Sequence, residues 1–162
     1  MSDKIKLLIV DDEVKFLESI AKRLELRGLD VTTAANGEQA LEKTRTERFD
    51  LALLDLKMPG IDGRQLLEML KKEHKFLEVI ILTGHGSVDS AVECTKLGAF
   101  DYLPKPYELE GLIETLNRAY QARLKKKFES DQDRLEKIAD IAMGNSPLAI
   151  LRELRKIDDD VK

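Results

Sequence analysis

Ile5-Lys6-Leu7-Leu8-Ile9-Val10-Asp11-Asp12 is a short apolar run that stops on two carboxylates. A run of that length bounded by charge suits a strand, and near-continuous apolar character suits a strand covered on both faces. The same grammar returns three times. Leu51 to Leu54 ends on Asp55, Val79 to Leu82 ends on Thr83, and Phe100 to Leu103 is followed closely by Lys105. In an open parallel α/β sheet, the crevice outside the carboxyl ends of the strands, near the point where strand order reverses, is where ligands bind. The acidic pair, the lone Asp, the Thr and the Lys are therefore expected to converge on one pocket.

Working outward, each run is followed by a helical pattern. Leu17, Ile20, Ala21 and Leu24 share one helical face, and Gly28 is placed to end that helix. Leu29 to Thr33 is shorter and more polar, as an edge strand would be, and Asn36-Gly37 turns the chain into a helix carrying Ala40 and Leu41. Met58-Pro59-Gly60 and Gly63 form a loop before Leu66, Leu67 and Leu70. Ser87 is placed to cap a helix bearing Val88, Ala91 and Val92, and Leu109, Leu112, Ile113, Leu116 and Tyr120 stripe a fifth helix. Five strand–helix units predict right-handed crossovers and a doubly wound α/β fold of the flavodoxin-like type. The expected strand order is 2-1-3-4-5, with Asp11, Asp12 and Asp55 meeting at the switch point between the first and third strands.

Composition narrows the function classes. The chain has 162 residues, enough for one domain plus a tail, and 27 basic against 31 acidic residues leave a net charge of -4. That balance gives no general attraction to nucleic acid or to an anionic membrane. The single cysteine, Cys94, excludes an intrachain disulfide and falls in a helical pattern, where a buried small hydrophobe is expected. The charged start, Met1 to Lys6, does not read as a signal peptide, and no apolar run approaches membrane-spanning length. A cytoplasmic location is expected. His74 and His85 read as a solvated helix end and a solvated loop rather than as ligands.

Three carboxylates about 4 Å apart repel by about 4 kcal/mol per pair at an effective dielectric of about 20. They must share protons or hold a cation. Hard oxygen donors without Cys or His point to Mg²⁺, which keeps several waters and often bridges to a phosphoryl group. An Asp beside such a cation can act as a nucleophile toward phosphorus, with an ammonium and a hydroxyl on the remaining oxygens. Asp55, Thr83 and Lys105 supply those parts.

The segments Leu8-Ile9-Val10-Asp11-Asp12-Glu13, Asp55-Leu56-Lys57-Met58-Pro59-Gly60 with Asp62-Gly63, Thr83-Gly84-His85-Gly86 and Asp101-Tyr102-Leu103-Pro104-Lys105-Pro106 together resemble the receiver domain of two-component response regulators. The resemblance runs from Lys4 to about Leu124. It implies that Asp55 takes a phosphoryl group from a sensor histidine kinase. It further implies that Asp12, Asp55 and the backbone carbonyl of Lys57 ligate Mg²⁺, with Asp11 acting through metal-bound water. Lys105 and Thr83 would hold phosphoryl oxygens, Tyr102 would be the aromatic switch that follows Thr83, and Lys105-Pro106 would be cis. Catalysis would be limited to self-phosphorylation and autodephosphorylation, without an independent catalytic domain. Gly84-His85-Gly86 and Gly98 to Leu103 are similar in wording to the NtrC subclass, and Met143 to Pro147 weakly resembles the start of that subclass's ATPase module.

The reading divides the chain into a receiver over 4–122 and a helical tail over 123–162. From Ala119 to Met143 there is neither Pro nor Gly, so the fifth helix is expected to run on. Phe128, Leu135, Ile138 and Ala142 fall near a 3-4 spacing that Asp131 interrupts, and the helix is expected to need a partner helix, either its own tail folding back or a second protomer. Lys125 to Lys127 is followed by Glu129, Asp131 and Asp133, so a solvated, salt-bridged face is expected there. Gly144-Asn145-Ser146-Pro147 would end the helix, and another would start at Pro147 with Leu148, Leu151 and Leu154 on one face. No helix-turn-helix and no Walker-type loop is evident, so the downstream partner is expected to be protein rather than DNA.

Two other readings stay open. One is a receiver-like scaffold that dimerises whatever its phosphorylation state, or the regulatory piece of a longer sigma54-type activator. The other is a flavodoxin-like nucleotide or flavin binder, which would need a Gly-rich loop where Asp11 and Asp12 stand.

Overall fold

The computed structural model describes residues 4–144 together with 148, 151, 152, 155 and 156. The elements alternate as the sequence predicts: β1 (Lys6–Val10), α1 (Val14–Leu26), β2 (Asp30–Ala34), α2 (Gly37–Thr46), β3 (Leu51–Leu54), α3 (Gly63–Glu73), β4 (Glu78–Thr83), α4 (Val88–Lys96), β5 (Asp101–Pro104) and α5 (Leu109–Gly144). The sheet is five-stranded with order β2-β1-β3-β4-β5, and every neighbouring pair is parallel. This is the flavodoxin-like doubly wound arrangement.

Period-two alternation sends each strand's side chains to two separate cores. Leu8, Val10, Ala52, Leu54, Val79 and Ile81 pack with Leu41, Leu66, Leu67, Leu70 and Cys94, so α2, α3 and α4 cover one face. Leu7, Ile9, Leu51, Leu53, Ile80 and Leu82 pack with Leu17, Ile20, Leu24, Leu112, Leu116 and Ala119, so α1 and α5 cover the other. Each fully buried leucine or isoleucine contributes about 1.5–3 kcal/mol.

The punctuation is chemical. Gly28 follows α1 with φ +89°, in the left-handed region that favours glycine. Asn36 caps α2 by accepting from Gln39 N, Asp62 and Gln65 form a reciprocal capping box at α3, and Ser87 caps α4 by accepting from Ser90 N. Cys94 is fully buried, as expected of a small hydrophobe. The expected stripe on α4 differs: Val88 and Val92 are exposed and Cys94 is that helix's buried residue. α4 has just nine residues against the edge of the sheet, so a single side chain reaches the core.

α5 is one helix of 36 residues, with no break at the expected division after Ala122. Beyond that point it is still fastened to the domain. Arg123 Nε donates to Asp50 Oδ1 at 3.0 Å and Arg123 Nη1 donates to the Phe76 carbonyl at 2.7 Å. Lys126 Nζ donates to Glu78 Oε1 at 2.6 Å, and Glu78 is buried at the first position of β4. The Lys125 to Lys127 run is thus not simply a solvated face, because Lys126 pairs with the sheet rather than along its own helix. Leu148 and Leu151 are helical and exposed, while Leu154 and the last residues lie outside the described set.

Candidate functional site

Hydrogen bonding continues past the strand ends and sets the site. Asp55 N donates to the Val10 carbonyl at 3.0 Å, Asp11 N to the Ala34 carbonyl at 3.2 Å, and Lys105 N to the Thr83 carbonyl at 2.9 Å. Asp11 and Asp55 are thereby held on adjacent central strands, and Lys105 is held beside Thr83 across β4. All four residues sit at the carboxyl edge of the sheet.

Asp11, Asp12 and Asp55 each place a carboxylate oxygen within 4.8 Å of the others. Asp11 and Asp55 are both 2% exposed, whereas Asp12 faces solvent. Asp11 is fully engaged: its Oδ1 accepts from Glu13 N at 2.9 Å and its Oδ2 from Lys105 Nζ at 2.7 Å. Asp55 Oδ1 is buried without a hydrogen-bond partner among the described residues. A buried, unpartnered carboxylate oxygen in an all-oxygen cluster is the donor set a hard divalent cation satisfies, so these residues fit Mg²⁺.

Burial pushes the Asp55 carboxyl above the ordinary carboxylate range; Thr83 opposes this, Asp11 adds to it, and Lys105 and the Leu56 backbone oppose it. Burial pulls the Lys105 ammonium down, but Asp11, Asp55 and Glu13 outweigh it and leave it more basic than usual. The Lys105 Nζ also lies 4.0 Å from the centroid of the Phe16 ring, a cation–π contact that adds to its attraction to Asp11. Its peptide to Pro106 is cis.

Thr83 is buried, and its Oγ1 accepts from His85 N at 3.0 Å. Tyr102 is half-buried, with its hydroxyl 3.0 Å from Ser90 Oγ. A Cβ built on Gly86 would come within 2.5 Å of that hydroxyl, so the tyrosine fills the space a side chain would need. The side chains of Lys57 and His85 are exposed. The structure therefore brings Asp11, Asp12, Asp55, Thr83 and Lys105 to one edge, with Tyr102 one strand away.

Several contributing residues were not legible as such. Gly63 reads as a loop glycine, yet a Cβ there would lie 2.2 Å from the Asp55 carbonyl oxygen and 2.6 Å from Leu56 Cα. Its own N–H donates to the Leu56 carbonyl at 2.8 Å, so α3 begins pressed against the backbone that carries Asp55. The capping-box wording Asp62 to Gln65 was the available signal for that start. Phe16 and Ser90 carry no local pattern that marks them, and the motif that includes Gly86 does not show that its space is filled by Tyr102.

The response regulator receiver domain family matches residues 7–117. The DNA-binding transcriptional regulator NtrC of Klebsiella pneumoniae is 40% identical over 111 residues, covering 68% of this chain and 24% of that protein. The chain thus spans about a quarter of the length of such curated relatives. A CheY-like receiver domain protein from Methanospirillum hungatei superposes with a TM-score of 0.74 at 33% identity, covering 76% of this chain and 99% of that one. The receiver domain of NtrC4, solved as a beryllofluoride-activated dimer, superposes with a TM-score of 0.70 at 35% identity, covering 73% and 98%.

Proposed function

The chain belongs to the response regulator receiver family, and from that premise we propose that it is a phosphorylation-gated switch whose phosphoacceptor is Asp55. The observation that carries the reading is the unpartnered, buried Asp55 oxygen beside Asp11 and Asp12, with Lys105 reaching over from β5. A carboxylate oxygen held without a donor is poised to use its lone pair on phosphorus. In transfer from a kinase phosphohistidine, a bond forms between an Asp55 oxygen and phosphorus. The phosphorus–nitrogen bond breaks with its electron pair on the imidazole, which takes up a proton.

Asp12, Asp55 and the Lys57 carbonyl would hold Mg²⁺, with Asp11 behind them. When bound, the ion neutralises charge developing on the phosphoryl oxygens. The chain's own groups do the rest. Lys105 exchanges its contact with Asp11 for a phosphoryl oxygen, and the Thr83 hydroxyl takes another. Tyr102, freed or gripped by that movement, alters the β5 and α5 face.

A groove of about 510 Å³ lined by Phe16, Ser19, Arg23, Lys105, Pro106 and Tyr107 opens beside Lys105. Because Lys105 lines both this groove and the carboxylate site, we assign the groove as the approach for the kinase phosphohistidine. Residues 4–122 are assigned to the switch and 123–162 to output by protein association, through α5 to a second copy or as the regulatory piece of a longer activator of the NtrC type. No helix among the described residues is long and apolar enough to cross a membrane.

The deciding experiment is labelling with acetyl phosphate and Mg²⁺. We expect one acid-stable, base-labile acyl phosphate, lost in Asp55→Asn and in Asp12→Ala. Label at parental yield in Asp55→Asn would overturn the assignment. Arg23→Glu should slow labelling by a kinase and leave labelling by acetyl phosphate unchanged.

A further inference from the structure

The opposite edge of the sheet, where the strands begin, carries a second concentration of charge of the other sign. The connection from α2 to β3, the connection from α3 to β4 and the continuation of α5 enclose a cleft of about 720 Å³. Arg45, Arg48, Lys75, Arg123, Lys127 and Arg134 line it, against the carboxylates of Glu47 and Glu73 alone. In a protein of net charge -4, that is a local reversal of sign.

Ordinary structural causes account for part of it. Arg45 lies in the last turn of α2 and Lys75 just past the C-terminus of α3, where cations offset the negative end of the helix dipole. That cause does not reach Arg123, Lys127 and Arg134, which lie inside α5 at spacings of four and seven and so share one helical face. Ion pairing does not account for the set either. Arg123 is tied to Asp50 and the Phe76 carbonyl, and Arg134 lies 3.8 Å from Asp131. Arg45, Arg48 and Lys127 have no ion pair among the described residues.

A concave wall of one sign in low-dielectric surroundings focuses potential on the space it encloses. Four of the six cations are arginines, whose planar forks match the paired oxygens of phosphate. The Arg123 guanidinium is already immobilised in the wall, so little ordering is needed to use its remaining donor edge. The volume is that of a small-molecule site and leaves no room for a duplex.

We propose that this cleft binds a small anion bearing two or more phosphates, either a free polyphosphate or a nucleoside diphosphate or triphosphate. The occupant would bridge the α5 continuation to the receiver body at the edge remote from Asp55. It would thus bias the attitude of the tail independently of phosphorylation.

The chain supplies its own reporters, because its two histidines lie at opposite edges: His74 lines the cleft and His85 follows Thr83. Full-length protein in Mg²⁺-free buffer is titrated with inorganic pyrophosphate while both imidazole resonances are followed by NMR and heat by calorimetry. The expected result is one saturable site, movement of His74 and a stationary His85. Arg48→Gln combined with Lys127→Gln, both at exposed positions, should weaken binding at least tenfold. ADP binding more tightly than pyrophosphate would identify the ligand as a nucleotide, and ADP binding more weakly would identify it as a free polyphosphate; both uphold the site. The proposal falls if binding does not saturate, if the double variant binds as the parent does, or if acetate moves His74 equally. It also falls if duplex DNA, at equal phosphate concentration, binds more tightly than pyrophosphate.

Discussion

Asp55 holds its carboxylate at a position only 2% exposed, and the fold pays for that in stability. Because burial raises its carboxyl above the unfolded value, the folded chain binds more protons than the unfolded chain between those two values. This group's contribution is therefore most favourable below the unfolded value of 3.8 and is lost as pH rises through the raised folded one. Asp55→Asn should accordingly unfold at higher urea than the parent at pH 7, with the difference closing as pH falls toward 4. A variant that tracks the parent at every pH would mean that the carboxylate is already satisfied. Gly63 sets a steric limit at the same place. Its missing side chain lets α3 start against the Asp55–Leu56 backbone, so Gly63→Ala must displace that backbone. Overpacking of this kind costs about 1–3 kcal/mol. The expected outcome is a lower melting temperature together with slower acetyl-phosphate labelling. A loss of stability with unchanged labelling would show that the displacement is absorbed by α3 instead.

At the scale of elements, α5 decides what the domain is. The buried Leu112 and Leu116 of its inner stripe were legible because a 3.6-residue period repeats within the helix itself, whereas buried Ala119 was not marked. The four strand ends were legible for a similar reason: each motif is local, and parallel topology brings strand ends together without further information. What remained hidden was every relation between distant positions. The pairing of Lys126 with Glu78 spans 48 residues, and that of Arg123 with Asp50 spans 73. No local pattern distinguishes those charges from a solvated face. The α4 stripe was misread for the converse reason, since periodicity says which residues align and not how much surface awaits them. The latch gives a direct prediction. A chain cut after Ala122 leaves buried Glu78 without its ammonium and Asp50 without its guanidinium, whereas a chain cut after Lys127 keeps both. Orphaning such groups costs about 1–3 kcal/mol, so the shorter chain should unfold at clearly lower urea. Adding Glu78→Gln to the shorter chain should recover part of the loss. Equal midpoints for the two cuts would reduce the latch to a surface contact.

For the whole molecule, the latch matters because it fixes the direction in which α5 leaves the domain, and α5 leaves with apolar groups uncovered. Leu124, Phe128 and Leu135 are exposed, and Ile138 is half-exposed. With Asp131 they advance in steps of four, three, four and three, the spacing that a coiled-coil seam requires. Burying a leucine or phenylalanine in such a seam contributes about 1.5–3 kcal/mol, enough across several positions for association at micromolar concentrations. Asp131 opposes this. It interrupts the seam with a carboxylate, paired at 3.8 Å to Arg134 of the same helix, and in a parallel dimer it would face its own copy. Under the proposed switch, that opposition would weaken the dimer enough for differential contacts of a few kcal/mol at the Thr83 and Tyr102 face to tip the equilibrium. Light scattering on the full chain, with and without beryllofluoride and Mg²⁺, should register a rise in dimer fraction on activation. Asp131→Leu should tighten self-association at least tenfold, equivalent to about 1.4 kcal/mol, and shrink the response to beryllofluoride because the dimer no longer needs the switch. If Asp131→Leu stays monomeric, the seam belongs to a different partner. If the parent is equally dimeric with and without beryllofluoride, α5 is a scaffold that phosphorylation at Asp55 does not reach.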